Sequence, residues 1–316
     1  MKKISVAIIF FSLILTSCTP QPKIIGWSLI RPSNSPPPLF HSSSAYNSTQ
    51  NEGVVFGGIT NDDWSNETWL WKNGNWQKAS PAVRPPAREK AAMAYDLAQN
   101  KIILFGGMFN SAVFDDTWVW DGHNWQVINP AHTPPARCCH AMAFDSNQEK
   151  VVLYGGWNNV TGEFFSDTWV WDGNDWAEVT CCNAPPASGH TMLNFFARKE
   201  IITLSSSNDG IWIWDGTLWQ NPVIDLPPAR QDSRLVFYDE YEQAVLFAGI
   251  HEGEFLNDTW TFDGKTWTML SLPTQPAARY GHSMFYDRQR QSVILFGGAD
   301  EDGVIGDTWE FVLPEN

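Results

Sequence analysis

The chain has 316 residues, with 20 Lys+Arg against 35 Asp+Glu, a formal charge of −15, and 43% hydrophobic residues. That length can bury a large core. The charge repels nucleic-acid phosphates and anionic headgroups, which excludes a nucleic-acid partner and a basic membrane-binding patch.

Residues 1–17 read as a signal peptide. Lys2 and Lys3 precede the apolar run "ISVAIIFFSLIL" (4–15), which is too short to span a membrane as a mature helix. The following "LTSC" (15–18) resembles the bacterial lipoprotein signal, in which the Cys is lipidated before cleavage. The resemblance makes Cys18 the first mature residue, carrying palmitate-type acyl chains. An ordinary cleaved signal with a chance Cys is the alternative. Thr19, with no Asp at that position, resembles the outer-membrane sorting pattern if the host is Gram-negative. Residues 18–25 form the lipidated Cys and a short linker, and a single domain spans 26–316. Loss of Lys2 and Lys3 leaves the mature chain near −17, so attachment to the cell envelope rests on the acyl chains.

From residue 26 onward one sentence recurs. Its first half is an apolar run ending in two small residues: "VVFGG" (54–58), "IILFGG" (102–107), "VVLYGG" (151–156), "IITLSS" (201–206), "VLFAG" (245–249) and "VILFGG" (293–298). Its second half is an aromatic strand of the type "DTWVWDG", whose first Trp falls at Trp69, Trp118, Trp169, Trp212, Trp260 and Trp309. The steps of 49, 51, 43, 48 and 49 residues set a period near fifty. Each repeat reads as four short strands, illustrated by "KAAMAYD" (90–96, A), "KIILFGG" (101–107, B), "DTWVWD" (116–121, C) and "NWQVI" (124–128, D). A polar turn joins A to B, "DG" reads as a two-residue C–D hairpin, and Pro in "TPPAR" ends strand D. Trp118 and Trp120 are two apart, so they share one face of the sheet, which the following blade is expected to cover. "GWSLIRPSNSPPP" (26–38) matches "NWQVINPAHTPPA" (124–136), making Trp27 a strand-D Trp, while the last repeat ends at "DTWEFVLPEN" with no strand D. Strand 26–30 should therefore pair with strand C of the last repeat and close the ring.

The fifty-residue period, the diglycine and the aromatic strand together resemble the kelch repeat. The resemblance implies an all-β, six-bladed kelch β-propeller of four-stranded antiparallel blades, like the central domain of galactose oxidase. It also implies that the B–C and D–A loops share one face. Kelch relatives include sugar-active enzymes, among them that oxidase and a sialic acid mutarotase, but neither active site maps onto this chain. The reading is a monomeric module that binds a protein or a glycan on the loop face, without cofactor or metal, with sugar enzymology as the alternative.

Ten of the eighteen Trp belong to strand C and six to strand D, which leaves Trp64 and Trp157, both in B–C loops. With Phe109, Phe114, Phe164, Phe165 and Phe255 close in sequence, they read as ligand contacts or as caps on the blade tops. Arg88, Arg137, Arg230 and Arg279 end the "PPAR" or "PAAR" links, where blades 1 and 4 carry Leu39 and Ala187. They form a partial ring that attracts anions or pairs internally with neighbouring groups. His140, His190 and His282 recur once per blade, which spreads them apart and makes them structural. Cys138, Cys139, Cys181 and Cys182 lie in neighbouring D–A links and are disulfide candidates, with free thiols or a metal site as the other possibilities. The recognition surface expected from these residues is the loop face of blades 1–3, with Trp64, Trp157, Arg88 and Arg137 at its centre and the short-looped blade 4 contributing least.

Overall fold

The structure, a computed structural model, describes residues 25–180, 184–185, 191–206 and 210–313. Six antiparallel sheets of four strands each follow the sequence period, every one in the order A–B–C–D from the axis outward. Blade 2 is typical: Ala92–Asp96, Lys101–Phe105, Thr117–Trp120 and Trp125–Ile128. Blade 6 takes its outer strand from the other end of the chain. Gly26–Ile30 pairs antiparallel with Thr308–Val312, in the register Trp27↔Phe311 and Leu29↔Trp309. The ring is closed as the repeat pattern required.

The "DTW" triplet has a division of labour. Its Thr accepts a hydrogen bond from the strand-D Trp of the next blade: Trp125 Nε1 to Thr68 Oγ1 at 2.8 Å, Trp176 to Thr117 at 2.9 Å and Trp219 to Thr168 at 2.9 Å. The bond carries on through the closure, with Trp27 donating to Thr259 at 2.9 Å and Trp76 to Thr308 at 3.1 Å. Blade 4 reads "GIW" instead. Ile211 stands where the Thr would be, and the buried indole N–H of Trp267 in blade 5 has no partner among the described residues.

These bonds correct the expected direction of packing. The Trp face of a blade is covered by the preceding blade: Trp118, Trp120 and Trp125 of blade 2 pack with Val54 and Phe56 of blade 1. In blades 1 and 4 the second Trp of strand C also bonds to the preceding blade, while the N–H groups of Trp120 and Trp171 have no partner among the described residues. Trp71 Nε1 donates to Asp287 Oδ2 at 2.9 Å and Trp214 to Asp145 Oδ2 at 3.1 Å, each acceptor ending strand A of the preceding blade. Where strand C carries Phe262 or Phe311, the preceding strand A ends in Phe195 or Tyr238.

The C–D connections also differ from expectation. Only the blade 1 connection, between Lys72 and Asn75, is a two-residue hairpin, built on Asn73 and Gly74 at φ 52° and 77°. In blade 2 the last pair is Trp120↔Trp125, leaving a four-residue loop that Asp121 Oδ1 organises by accepting from the N–H groups of His123 and Asn124, both at 2.8 Å.

Thr117→Val keeps the shape of the side chain but strands a buried indole N–H, so it should cost about 1–3 kcal/mol. Ile211→Thr offers Trp267 the acceptor it lacks and should cost less, although it removes buried apolar volume. Denaturant unfolding of both variants checks this, and equal losses would contradict the assignment.

Candidate functional site at the mouth of the central channel

The D–A and B–C loops pair with each other on one face. Bridges join Glu89 to Met108, Cys138 to Trp157 and Gln231 to Ile250. The diglycines tie one blade to the next: the N–H of Gly107 donates to the carbonyl of Arg137 at 2.9 Å. A Cβ on Gly106, whose φ is 63°, would stand 2.5 Å from that same oxygen. The two glycines are therefore a requirement of close backbone approach.

The four Arg are interior. Arg88, Arg137, Arg230 and Arg279 are at most 3% exposed. Each guanidinium grips the Asp of its own "DTW": Arg88 on Asp116 at 2.5 and 2.7 Å, Arg137 on Asp167 at 2.5 and 2.7 Å, Arg230 on Asp258 at 2.6 and 2.9 Å, Arg279 on Asp307 at 2.6 and 3.0 Å. Each also donates from Nε to a carbonyl two residues back and from Nη1 to the carbonyl of the first small residue after strand B. Phe114 and Phe165 cover Arg88 and Arg137 at 4.1 and 4.0 Å, which accounts for both rings. The same Asp accepts from the first Trp of strand C, as in Trp118 to Asp116 at 2.6 Å. Burial works to raise the Asp258 carboxyl, but Arg230 and Trp260 hold it below the usual range. With four of five N–H groups engaged inside the blade, these side chains brace the loops and do not form an anion-binding ring. Blades 1 and 4 confirm the pairing by losing both partners together, with Leu39 facing Glu67 and Ala187 facing Gly210 in sequence.

Two residues beyond each Arg position the chain enters the left-handed region: His41 (φ 53°), Lys90 (52°), Cys139 (60°), Asp232 (52°) and Gly281 (62°). A chain of backbone hydrogen bonds joins them around the axis: Gly281 N–H to Asp232 O (3.0 Å), His41 to Gly281 (2.7 Å), Lys90 to His41 (3.0 Å) and Cys139 to Lys90 (3.1 Å). The side chains at these positions differ from blade to blade and surround the channel mouth. His41 Nδ1 donates to Glu89 Oε2 at 2.9 Å, and its Nε2 lies 3.5 Å from Asp232 Oδ2. That reach across blade 6 exists because position 281 is Gly; an added Cβ would fall 2.6 Å from the His41 ring. Burial pulls the Lys90 ammonium down, but Cys139, Asp232 and Glu89 outweigh it and raise it. Asp232 is held far below the usual carboxylate range by His41, Lys90 and Arg234, against the opposing effect of burial. A concave mouth lined by charged groups with shifted protonation makes this a candidate functional surface.

A cavity of about 260 Å³ opens there, lined by His41, Lys90, Asp232 and Arg234 together with Trp157 and Phe164. Trp157 stacks on Phe164 at 5.8 Å and 17°, in a short hairpin, and Phe164 is 62% exposed. Trp64 stands apart from this wall. Its edge contacts Phe109 at 5.3 Å and its N–H reaches Glu89 Oε1 at 3.3 Å, so it also positions the carboxylate that holds His41. Phe255 stacks on Tyr280 at 5.3 Å. Cys138 and Cys139 are free thiols with Sγ atoms 3.2 Å apart; Cys181, Cys182 and His190 lie outside the described residues. His140 and His282 are buried, and among the described residues no group of three or more His, Cys, Asp or Glu is placed to hold a metal.

The KLHDC2/KLHL20/DRC7 Kelch-repeats domain profile matches residues 22–204, more than half of the chain. The protein belongs to the kelch-repeat family. No individual curated protein matches it closely enough to be set beside it. The kelch propeller carries its variation where the repeat leaves freedom, at the left-handed positions and in the B–C hairpins, and its mouth combines charged and aromatic side chains.

Burial of His140 should make the stability of this kelch propeller depend on pH. Burial, then the Arg137 charge, pushes its imidazole down to about 3. Above about pH 6.5 it is neutral folded or unfolded, and below that the unfolded chain takes a proton that the folded one refuses, so stability falls. His140→Phe should remove up to about 1.4 kcal/mol per pH unit of that decline between pH 6 and 4.5. Parallel stability–pH curves for parent and variant would contradict the assignment.

Proposed function

We propose that this kelch propeller is a binding module, lipid-anchored through Cys18 in the bacterial cell envelope, whose loop-face mouth receives a protein segment or a glycan. The carrying observation is the Trp157–Phe164 stack, which lines the 260 Å³ cavity together with the charged side chains of Lys90, Asp232 and Arg234. Aromatic and charged side chains in one cavity suit a ligand with a flat apolar face and hydrogen-bonding groups, which describes both a sugar ring and an aromatic or amide-bearing peptide side chain. Such side chains supply most of the affinity at recognition surfaces. Of the four interior Arg, Arg230 borders the cavity with its guanidinium held by Asp258; further positive charge at the mouth comes from Lys90 and Arg234. The anchor lies outside the described residues and rests on the "LTSC" motif. In a Gram-negative host the outer membrane is the expected location.

The same mouth gathers His41, Lys90 and Asp232, titratable groups that a sugar-active enzyme would also need, and this observation favours the second reading.

A photoreactive residue at position 164 in the intact, anchored protein should capture a discrete envelope protein or glycan, and one at position 97 on the opposite face should not. Trp157→Ala should weaken that ligand at least about tenfold with the fold intact. Cys18→Ser should release the protein from the membrane fraction. Capture at 97 alone would overturn the choice of face, acylation of the Ser variant would overturn the anchor, and turnover of a sugar without a partner would favour the enzyme.

A further inference from the structure

Cys138 and Cys139 are adjacent in sequence, and their Sγ atoms meet at 3.2 Å beside the mouth. Cys138 is buried, whereas Cys139 is half-buried and borders the 260 Å³ cavity. The hydrogen bond from Cys139, helped by the Lys90 charge and opposed by burial, lowers the Cys138 thiol. The pair therefore gives up its first proton readily. One member stands at the cavity and the second is within reach of the first, which is the arrangement that thiol–disulfide exchange needs.

The peptide unit between the two Cys is held from both sides. Its carbonyl accepts from the N–H of Trp157 at 2.9 Å, and its N–H donates to the carbonyl of Lys90 at 3.1 Å. Cys139 is itself one of the left-handed positions, at φ 60°. Adjacent Cα atoms lie about 3.8 Å apart, short of the ~4.4–6.8 Å that a disulfide ordinarily spans. A bond between these sulfurs must therefore turn the peptide unit, and a link strained in this way is easily reduced. The groups tied to that unit, Trp157 and Lys90, both line the mouth.

We propose that Cys138 and Cys139 form a reversible dithiol–disulfide couple that alters the mouth when it is oxidised by a low-molecular-weight disulfide. Cys139 passes its proton to Cys138 across the 3.2 Å contact and attacks one sulfur of the small disulfide. That S–S bond breaks, and one small thiolate leaves. Cys138 then gives up the proton, attacks Cys139 Sγ and expels the second small thiolate. The two protein thiols lose two electrons and two protons, and the small disulfide becomes two thiols. Cys138 needs no opening to solvent, because its only reaction partner is Cys139. The couple is independent of the lipid anchor and of the ligand at the mouth.

The test treats the reduced, full propeller with hydroxyethyl disulfide, traps remaining thiols with iodoacetamide and digests with trypsin. Cleavage after Arg137 and Lys150 yields a peptide, 138–150, whose only Cys are these two. It should lose the mass of two hydrogen atoms and regain it when a monothiol is added in excess. Cys138→Ser should stop at a mixed disulfide on Cys139, and Cys139→Ser should leave Cys138 unmodified; if either fails to fold, the parent digest decides. Amide hydrogen exchange at Trp157 and Cys139 should speed up at least about threefold on oxidation. A dithiol left unoxidised in that peptide, a lasting mixed disulfide in the parent, a cross-link to the peptide that carries Cys181 and Cys182, or unchanged exchange at both amides would each overturn the proposal.

Discussion

Each blade of this propeller is incomplete without its predecessor. In every blade but the fifth a strand-D Trp donates its N–H to a Thr of the blade before it, and the aromatic face of strand C packs against that same blade. A repeat in which every unit leans on the one before has no natural first member. The ring removes the difficulty by letting Trp27, from the start of the chain, act as the outer Trp of the last blade and donate to Thr259. The closing strand therefore supplies more than an edge cover. It supplies the aromatic that Phe247 and Phe311 pack against, at 4.8 and 5.0 Å.

Closure also creates the mouth. Among the described residues, the left-handed positions that precede strand A in five blades hydrogen-bond in series from Asp232 through Gly281, His41 and Lys90 to Cys139, a series that passes through the closing blade. Once the backbone is held there, the side chains at those positions are released from structural duty. They are His, Lys, Cys, Asp and Gly in different blades, while the Arg two residues earlier remain locked on their Asp partners. The fold thus separates a rigid inner bracket from a variable outer ring by only two residues of sequence.

The architecture was legible because its determinants are periodic. Trp27 announced itself by matching Trp125 in a thirteen-residue stretch, and the period of the aromatic strands counted the blades. The role of the Arg was legible in principle: blades 1 and 4 lose the Arg and the Asp of "DTW" together, as Leu39 with Glu67 and Ala187 with Gly210. Read one position at a time, the Arg looked like free charge on an acidic chain. Two features had no sequence signal. The backbone circuit through His41, Lys90 and Cys139 depends on φ angles that these residues do not favour, so nothing in their identity marks it. The direction in which one blade covers another depends on sheet twist, and the alternation of Trp118 and Trp120 fixes a shared face without saying which neighbour meets it.

The central claim is that the N-terminal strand is the sixth outer strand of a single cooperative ring. Deleting residues 19–31 and following thermal unfolding tests it most directly. Burial of Trp27 alone is worth about 3–5 kcal/mol against Ala, and its loss exposes an apolar face of both blade 5 and blade 6. The account predicts one cooperative transition shifted down by many degrees. An unchanged melting temperature in the truncated protein would contradict it.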